Sequence, residues 1–470
     1  MREAGDNGRR SPYDLAIVGS GGGAFAAAIA ARRRGLRVGM IEGATIGGTC
    51  VNVGCIPSKA LLAAAEVRHR AAGNRFPGIT TEVGPLDFAA LIAGKRELVE
   101  RMRQEKYVDL AHEYGIELIQ GDARFVDGPA LDVDGRRVEA ENYLVATSSE
   151  PYIPDIPGLR ESDYLTSTTA MELDHLPASM IVLGGGYVGM EQAQLFAHLG
   201  THVTVLVRSQ LARREEPEIA AGVRDAFAAD GIDVIEGLEV TAVRRDAGEV
   251  VAITDRGEFR AEQLLVATGR RFRTDDLALD AVGVGLGAGG EILIDDDMST
   301  ANPRVWAAGD VTGHPQFVYV AAKQGALAVE NAFDRAGRRI DYSALPHITF
   351  TTPTIASAGI TEAQAHAQGI DCTCRVLDLS ANVPRAIVSR SPHGVVKLVA
   401  ERDSGRVLGV HLLADGAGDA ILAGVYAIDA GRTVADLADS WDPYLTIGEA
   451  IHLAALAFTR DPSKLSCCAV

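Results

Sequence analysis

A chain of 470 residues is too long for one hydrophobic core and predicts two to four domains. Its 47% hydrophobic and 23% charged residues are ordinary for a globular enzyme, and a formal net charge of −18 argues against nucleic acid as a partner, because phosphate binding needs basic patches. No run approaches 18 consecutive apolar residues, so no membrane partner is expected, and six cysteines are too few for a secreted disulfide scaffold. The polar N-terminus lacks the apolar core of a signal peptide and reads as a tail before the first strand. A cytoplasmic chain is therefore expected.

Residues 13–18 (YDLAIV) predict a strand, followed by Gly19, Ser20, Gly21, Gly22, Gly23 and Ala24, an Ala-rich helix to Arg34, and a second strand over 36–42 ending in Glu42. The pattern returns at 180–207, where Gly184, Gly186 and Gly189 open the second helix. A lone match to this glycine spacing is weak. Two matches about 165 residues apart, each after an apolar run and before a helix, predict two dinucleotide-binding domains. The glycines let backbone approach a pyrophosphate, which the helix N-terminus attracts through its N–H groups and dipole. Two further segments, Leu264–Arg270 with Gly269 and Val305–Asp310 with Gly309, read as returns to the nucleotide domains. From about Pro346 the texture becomes α+β, with strands near 348–351, 394–399 and 407–411 and helices near 415–431 and 446–459.

Glu42 stands where a carboxylate would accept hydrogen bonds from an unphosphorylated ribose, which suits FAD as well as NAD. The second unit closes instead on Arg208, with Arg213 and Arg214 following, where a 2′-phosphate would sit; this favours NADPH.

Cys50 and Cys55 lie in GGTCVNVGCIPSK, a Gly-rich segment that includes Gly48 and Thr49 and leads into a helix. Two cysteines five apart can be an inert core pair. Here glycine, asparagine and a helix N-terminus lower thiol pKa values and admit a flavin ring, so a redox pair is expected. Cys467 and Cys468 are adjacent thiols near the C-terminus, suited to passing on a soft metal ion or a disulfide. Cys372 and Cys374, at a strand entry, read as a structural pair, with an accessory thiol site as the alternative.

Taken together, the cysteine segment, both glycine motifs, ATGR and AAGD resemble the flavoprotein disulfide reductase family over nearly the whole chain. The resemblance implies an α/β chain with two Rossmann-like dinucleotide-binding domains, for FAD and NADPH, plus a C-terminal α+β dimerisation domain. The boundaries expected are 1–149 for the first FAD part, 150–270 for NADPH, 271–345 for the second FAD part and 346–470 for dimerisation and the Cys-Cys tail. It further implies a homodimer with shared active sites, Cys55 against the flavin, and Cys50 as the exchanging thiol. Lys59 and Glu191 match the family's ion pair beside the flavin, and Asp310 its contact to the ribityl chain.

Members that reduce dithiols carry a histidine as acid/base in the segment matching residues 444–449. Here Tyr444 stands in its place, and a phenol with pKa near 10 is a poor proton shuttle at neutral pH. The ending KLSCCA and the segment holding Tyr107 resemble a branch of the family that reduces Hg(II). That implies NADPH-dependent conversion of Hg(II) to Hg(0), with Cys50, Cys55, Cys467 and Cys468 as successive ligands, Hg(II)-thiol complexes as substrate, and Tyr107 and Tyr444 beside the metal. Since this chain starts almost directly at the flavin domain, capture would fall to the tail. The competing expectations are a disulfide reductase with a C-terminal thiol relay and a metal-sequestering protein with a decayed flavin fold.

Overall fold

The computed structural model describes residues 12–391, 393–461 and 464, so the polar N-terminal tail and the Cys467-Cys468 pair lie outside the described residues. The chain divides into two compact units. One comprises Met1–Ser58, Ile92–Tyr152 and Arg270–Ile340; the other comprises Lys59–Leu91, Ile153–Gly269 and Asp341–Val470.

In the first unit, β1 (Tyr13–Val18) is buried at five of six positions. That pattern is what a central parallel strand covered on both faces requires. It pairs in parallel with β2 (Val38–Glu42) and with Ala140–Val145, giving a five-stranded sheet closed by Glu117–Gln120 on one side and Val305–Ala307 on the other. Between β1 and β2 runs α1 (Gly22–Arg33). It lies tightly on helix Val318–Val329, since a Cβ on Gly325 would fall 2.1 Å from the Gly23 carbonyl oxygen. The segment 264–270 is split between units: Gln263–Val266 is a strand of the second, while Arg270–Phe272 pairs with Ser149–Pro151 in the first.

After β2 come two helices, α2 (Gly48–Asn52) and α3 (Cys55–Ala72). Together, by length and composition alone, they are apolar enough to cross a membrane. Asn52, Gly54 and Lys59 interrupt the stretch, so it holds no unbroken apolar run. In this fold it carries the cysteine pair and Lys59, the ammonium that pairs with Glu191.

The second unit holds a four-stranded parallel sheet in the order Asp233–Glu236, His202–Val207, Ser179–Leu183, Gln263–Val266. It also holds an antiparallel five-stranded sheet built from 346 onward, with Val407–Ala414 buried at all eight positions. Helices Ala417–Asp429 and Glu449–Leu456 pack on that sheet through Ala417, Ile421, Ala450, Ile451 and Ala454. Lys397, 2% exposed, is held by Glu216, Glu218 and Glu362 at 2.8 to 3.1 Å, so a strand of this sheet is tied to the helix following His202–Val207.

Candidate active site

The first glycine motif is dictated by close approach. Gly19 has φ +106°, and a Cβ there would lie 2.4 Å from the Ala146 carbonyl oxygen. Gly48 has φ +67°, and its Cβ would meet Gly21 Cα at 2.5 Å, so α2 sits directly against the phosphate-type loop. No side chain caps the N-terminus of α1, which begins after Gly21, leaving its N–H groups available to an anion. Glu42 accepts from Ser20 Oγ at 2.5 Å and from the Ala44 N–H at 2.8 Å, which still leaves acceptor capacity for a ribose.

Ser20 does a second thing: its Oγ accepts the Gly47 N–H at 3.0 Å, fastening the cysteine segment to the loop. Asn52 closes that segment on itself, donating through Nδ2 to Ile46 O and Gly48 O, both at 2.9 Å, and Arg103 Nη1 donates to its Oδ1 at 3.0 Å. Cys50 lies inside α2 and Cys55 opens α3, both half-buried. Thr49 Oγ1 is 3.4 Å from Ser148 Oγ.

Tyr107 is carried by a π-helical turn, Gln104–Val108, inserted after helix Phe88–Arg103. Such turns concentrate at functional sites because the wider turn re-aims a side chain. Its ring stands edge-on to Phe25, with centroids 4.9 Å apart, and it crowds Gly47. Burial, and then the charges of Cys50 and Cys55, push its phenol up to about 12. The structure therefore brings Tyr107 and both cysteines into one electrostatic neighbourhood.

Asp310 follows Gly309, whose N–H donates to Gln324 Oε1 at 2.6 Å. The Asp310 carboxylate accepts from Ser149 Oγ at 2.7 Å, and Arg270 Nε donates to the same Oγ at 2.7 Å.

In the second unit Lys59 Nζ lies 2.7 Å from Glu191 Oε2, and the Phe350 N–H donates to Glu191 Oε1 at 3.0 Å. The same ammonium stands 4.7 Å from the Phe350 ring centre, a cation–π contact that fixes its direction. The three glycines of the second motif divide by role. Cβ atoms on Gly184 and Gly189 would fall 2.3 Å from Ala267 O and 2.0 Å from Gly184 O, so both serve packing. Gly186 faces open space at the uncapped N-terminus of helix Tyr187–Leu199. Gly269, at φ +140°, also faces open space. Arg208, Arg213 and Arg214 are exposed beyond His202–Val207.

Tyr444 is 48% exposed and precedes Leu445, at φ +63°, whose N–H donates to the buried Glu449 at 3.3 Å. Cys372 packs with Ala365, Val399 and Leu408, and burial followed by the Glu362 charge pushes the Cys374 thiol up to about 12. The raised pKa keeps the Cys374 thiol protonated at neutral pH. Sequence reasoning missed Arg103, Ser149, Gln324 and Phe350 as supports of the site, because their partners lie elsewhere in the chain and no local pattern marks them. Asn52 and Arg270 fall inside motifs the sequence singles out, but their hydrogen-bonding roles were not assigned there.

Residues 13–325 match the pyridine nucleotide-disulphide oxidoreductase family, and residues 345–455 match the dimerisation domain of those oxidoreductases. The chain is 58% identical over 468 residues to a mercuric reductase of Streptomyces lividans, covering 97% of this chain and 98% of that protein. It is 45% identical over 469 residues to a mercuric reductase of Staphylococcus aureus, covering 99% of this chain and 86% of that protein. Among solved structures, the HOCl-induced flavoprotein disulfide reductase RclA from Escherichia coli superposes with a TM-score of 0.85 at 29% identity, over 95% of this chain and all of that one.

Proposed function

The chain belongs to the pyridine nucleotide-disulphide oxidoreductase family, and we propose that within it this chain reduces Hg(II) to Hg(0) at Cys50 and Cys55, the ion being delivered by Cys467 and Cys468 of a second subunit. It is an FAD- and NADPH-dependent reductase. The residues fit both cofactors. Gly19, Gly21, Gly22, Ala24, Glu42, Gly48, Thr49, Gly309 and Asp310 would hold FAD; Gly184, Gly186, Gly189, Gly269, Arg208 and Arg214 would hold NADPH. When bound, FAD accepts two electrons from NADPH and makes them available at the cysteine pair.

The observation that carries the reading is the Tyr107 phenol beside two half-exposed cysteines on a segment pinned to the dinucleotide loop. Hg(II) prefers linear dithiolate coordination, so it moves between thiol pairs by ligand exchange. Cys467 and Cys468 would displace a small-molecule thiol from the ion, and Cys50 and Cys55 would displace them in turn. The ion gains two electrons as NADPH loses a hydride, and the thiolates are returned when Hg(0) leaves. Tyr107, protonated at neutral pH, would donate a hydrogen bond to a thiolate rather than act as a base toward a thiol. Lys59, held by Glu191, supplies a fixed positive charge, and Tyr444 lines the incoming ion's route.

The test is NADPH oxidation driven by Hg(II) bound to a bulky thiol, in wild type and in Cys467→Ala/Cys468→Ala. The variant is expected to keep its FAD and its hydride uptake and to lose most turnover. Retained turnover would remove the tail as delivery device, and turnover on oxidised dithiols in place of Hg(II) would favour the disulfide-relay reading.

A further inference from the structure

The loop that leaves strand His202–Val207 carries Arg208, Arg213 and Arg214, and its burial alternates. All three arginines are exposed, whereas Leu211 and Ala212 before the last two, and Glu215 and Glu216 after them, are buried. The first buried pair is tied to the second glycine motif. The Ala212 N–H donates to Gly185 O at 3.0 Å, and a Cβ on Gly185 would lie 3.2 Å from Leu211 Cα. The second buried pair is tied to the antiparallel sheet that begins at 346. Glu215, whose side chain is 1% exposed, accepts from His347 Nε2 at 2.9 Å and from Ser357 Oγ at 3.0 Å.

His347 on strand Pro346–Thr349 and Ser357 on Thr354–Gly359 are direct cross-strand partners, so two donors on one face of a sheet converge on one carboxylate. Burial works against the Glu215 charge, yet the His347 bond, the His347 charge and the Ser357 bond together hold its pKa below the usual carboxylate range. The imidazole has a second neighbour. Its ring centre lies 6.1 Å from that of Tyr187, the first residue of the helix that Gly186 opens. One side chain therefore reaches both the helix N-terminus that a pyrophosphate seeks and the loop that bears the arginines.

We propose that Glu215, held by His347 and Ser357, is a positioning residue for nucleotide choice: it fixes the loop so that its guanidinium groups meet the 2′-phosphate of NADPH. The inference rests on the assignment of Arg208 and Arg214 to that phosphate. A guanidinium binds phosphate through parallel N–H bonds of fixed geometry, so the backbone that carries it must be held in place. An unanchored exposed loop would have to be ordered at each binding event, and the anchor removes that cost beforehand. NADH has no 2′-phosphate to present to these arginines, so its binding gains nothing from the anchor. Glu216 keeps its own tie to the sheet through Lys397 at 3.0 Å, which leaves the following helix attached when Glu215 is changed.

The test is calorimetric titration of NADP+ and of NAD+ into the oxidised, FAD-loaded full chain. Glu215→Gln, which keeps the shape of the side chain, and His347→Ala should each weaken NADP+ binding about tenfold and leave NAD+ binding within about twofold. His347→Gln, whose amide N–H can replace the Nε2–H donor, should recover most of the loss. If Glu215→Gln does not fold, the two variants of the part-exposed His347 carry the comparison. Arg208→Ala/Arg214→Ala is titrated alongside. Unchanged NADP+ affinity in that variant would remove the phosphate assignment itself, and the inference with it. If it loses NADP+ affinity while Glu215→Gln and His347→Ala keep theirs, or weaken both nucleotides alike, the anchor serves packing only and the inference is overturned.

Discussion

Tyr107 shows how one residue's surroundings decide its chemistry. A phenol ordinarily titrates near 10, but burial and the two neighbouring thiolates push this one up to about 12. Because its folded-state pKa lies above the unfolded one, its contribution to stability is fully present below pH 10 and is lost as the pH climbs toward 12. Throughout the neutral range it is a donor. A hydrogen bond to a charged group contributes about 1.5–3 kcal/mol, so Tyr107→Phe is expected to slow single-turnover Hg(II) reduction by roughly ten- to a hundredfold. The alkaline limb of the pH–rate profile should stay where it is in wild type up to about pH 10. A limb that moves with the substitution would mean that Tyr107 titrates in turnover and that the donor role is wrong. The cysteine pair was legible in the sequence because its whole motif is contiguous. Tyr107 was legible only through resemblance, since nothing in Gln104–Val108 announces a π-turn, and Phe25 lies 82 positions earlier.

At the scale of the element, the two glycine motifs look alike in sequence and differ in what each glycine does. Gly184 and Gly189 exclude a side chain because backbone oxygens occupy the space, so alanine there would force strand and helix apart. Gly186 meets no atom within 4 Å, at the N-terminus of a helix that no side chain caps. Its missing Cβ therefore leaves room for something outside the protein, and a dinucleotide pyrophosphate is what such a terminus attracts. Gly186→Ala is expected to raise KM for NADPH by roughly tenfold, about 1.4 kcal/mol of binding, while FAD content and thermal midpoint stay unchanged. A fall in thermal midpoint with KM unaltered would make Gly186 a packing glycine like its neighbours. Spacing alone could not separate these roles, because what faces each glycine is set by the fold: Ala267 O for Gly184, Gly184 O for Gly189 and nothing for Gly186. The strands and long helices were legible for the opposite reason. β1 and Val407–Ala414 are apolar on both faces, so burial and sequence pattern coincide.

For the whole molecule, the dimerisation-domain match turns exposed apolar side chains into an interface question. Trp441 is 102% exposed, and Leu422 and Tyr426, 50% and 64% exposed, lie one turn apart on helix Ala417–Asp429. Large apolar side chains left in water mark association surfaces, and a buried tryptophan commonly contributes 2 kcal/mol or more to one. This surface was not legible in the sequence, since Trp441 sits in a stretch with no helical or strand period that would show which way it points. The chain-wide order of two glycine units and an α+β end was legible, because each announces itself locally. If the ion is delivered between subunits as proposed, a dimer would be required for turnover but not for uptake of hydride, which would need only the two cofactor sites of one chain. Trp441→Glu is expected to weaken the dimer by about 2 kcal/mol or more, some thirtyfold, seen by light scattering across a dilution series. At concentrations where the variant is monomeric, NADPH should still bleach the flavin, while turnover on thiol-bound Hg(II) should fall with the dimer fraction. A variant that remains dimeric at all dilutions would place Trp441 outside the interface. A monomer that turns over thiol-bound Hg(II) at the wild-type rate would show that each chain serves itself.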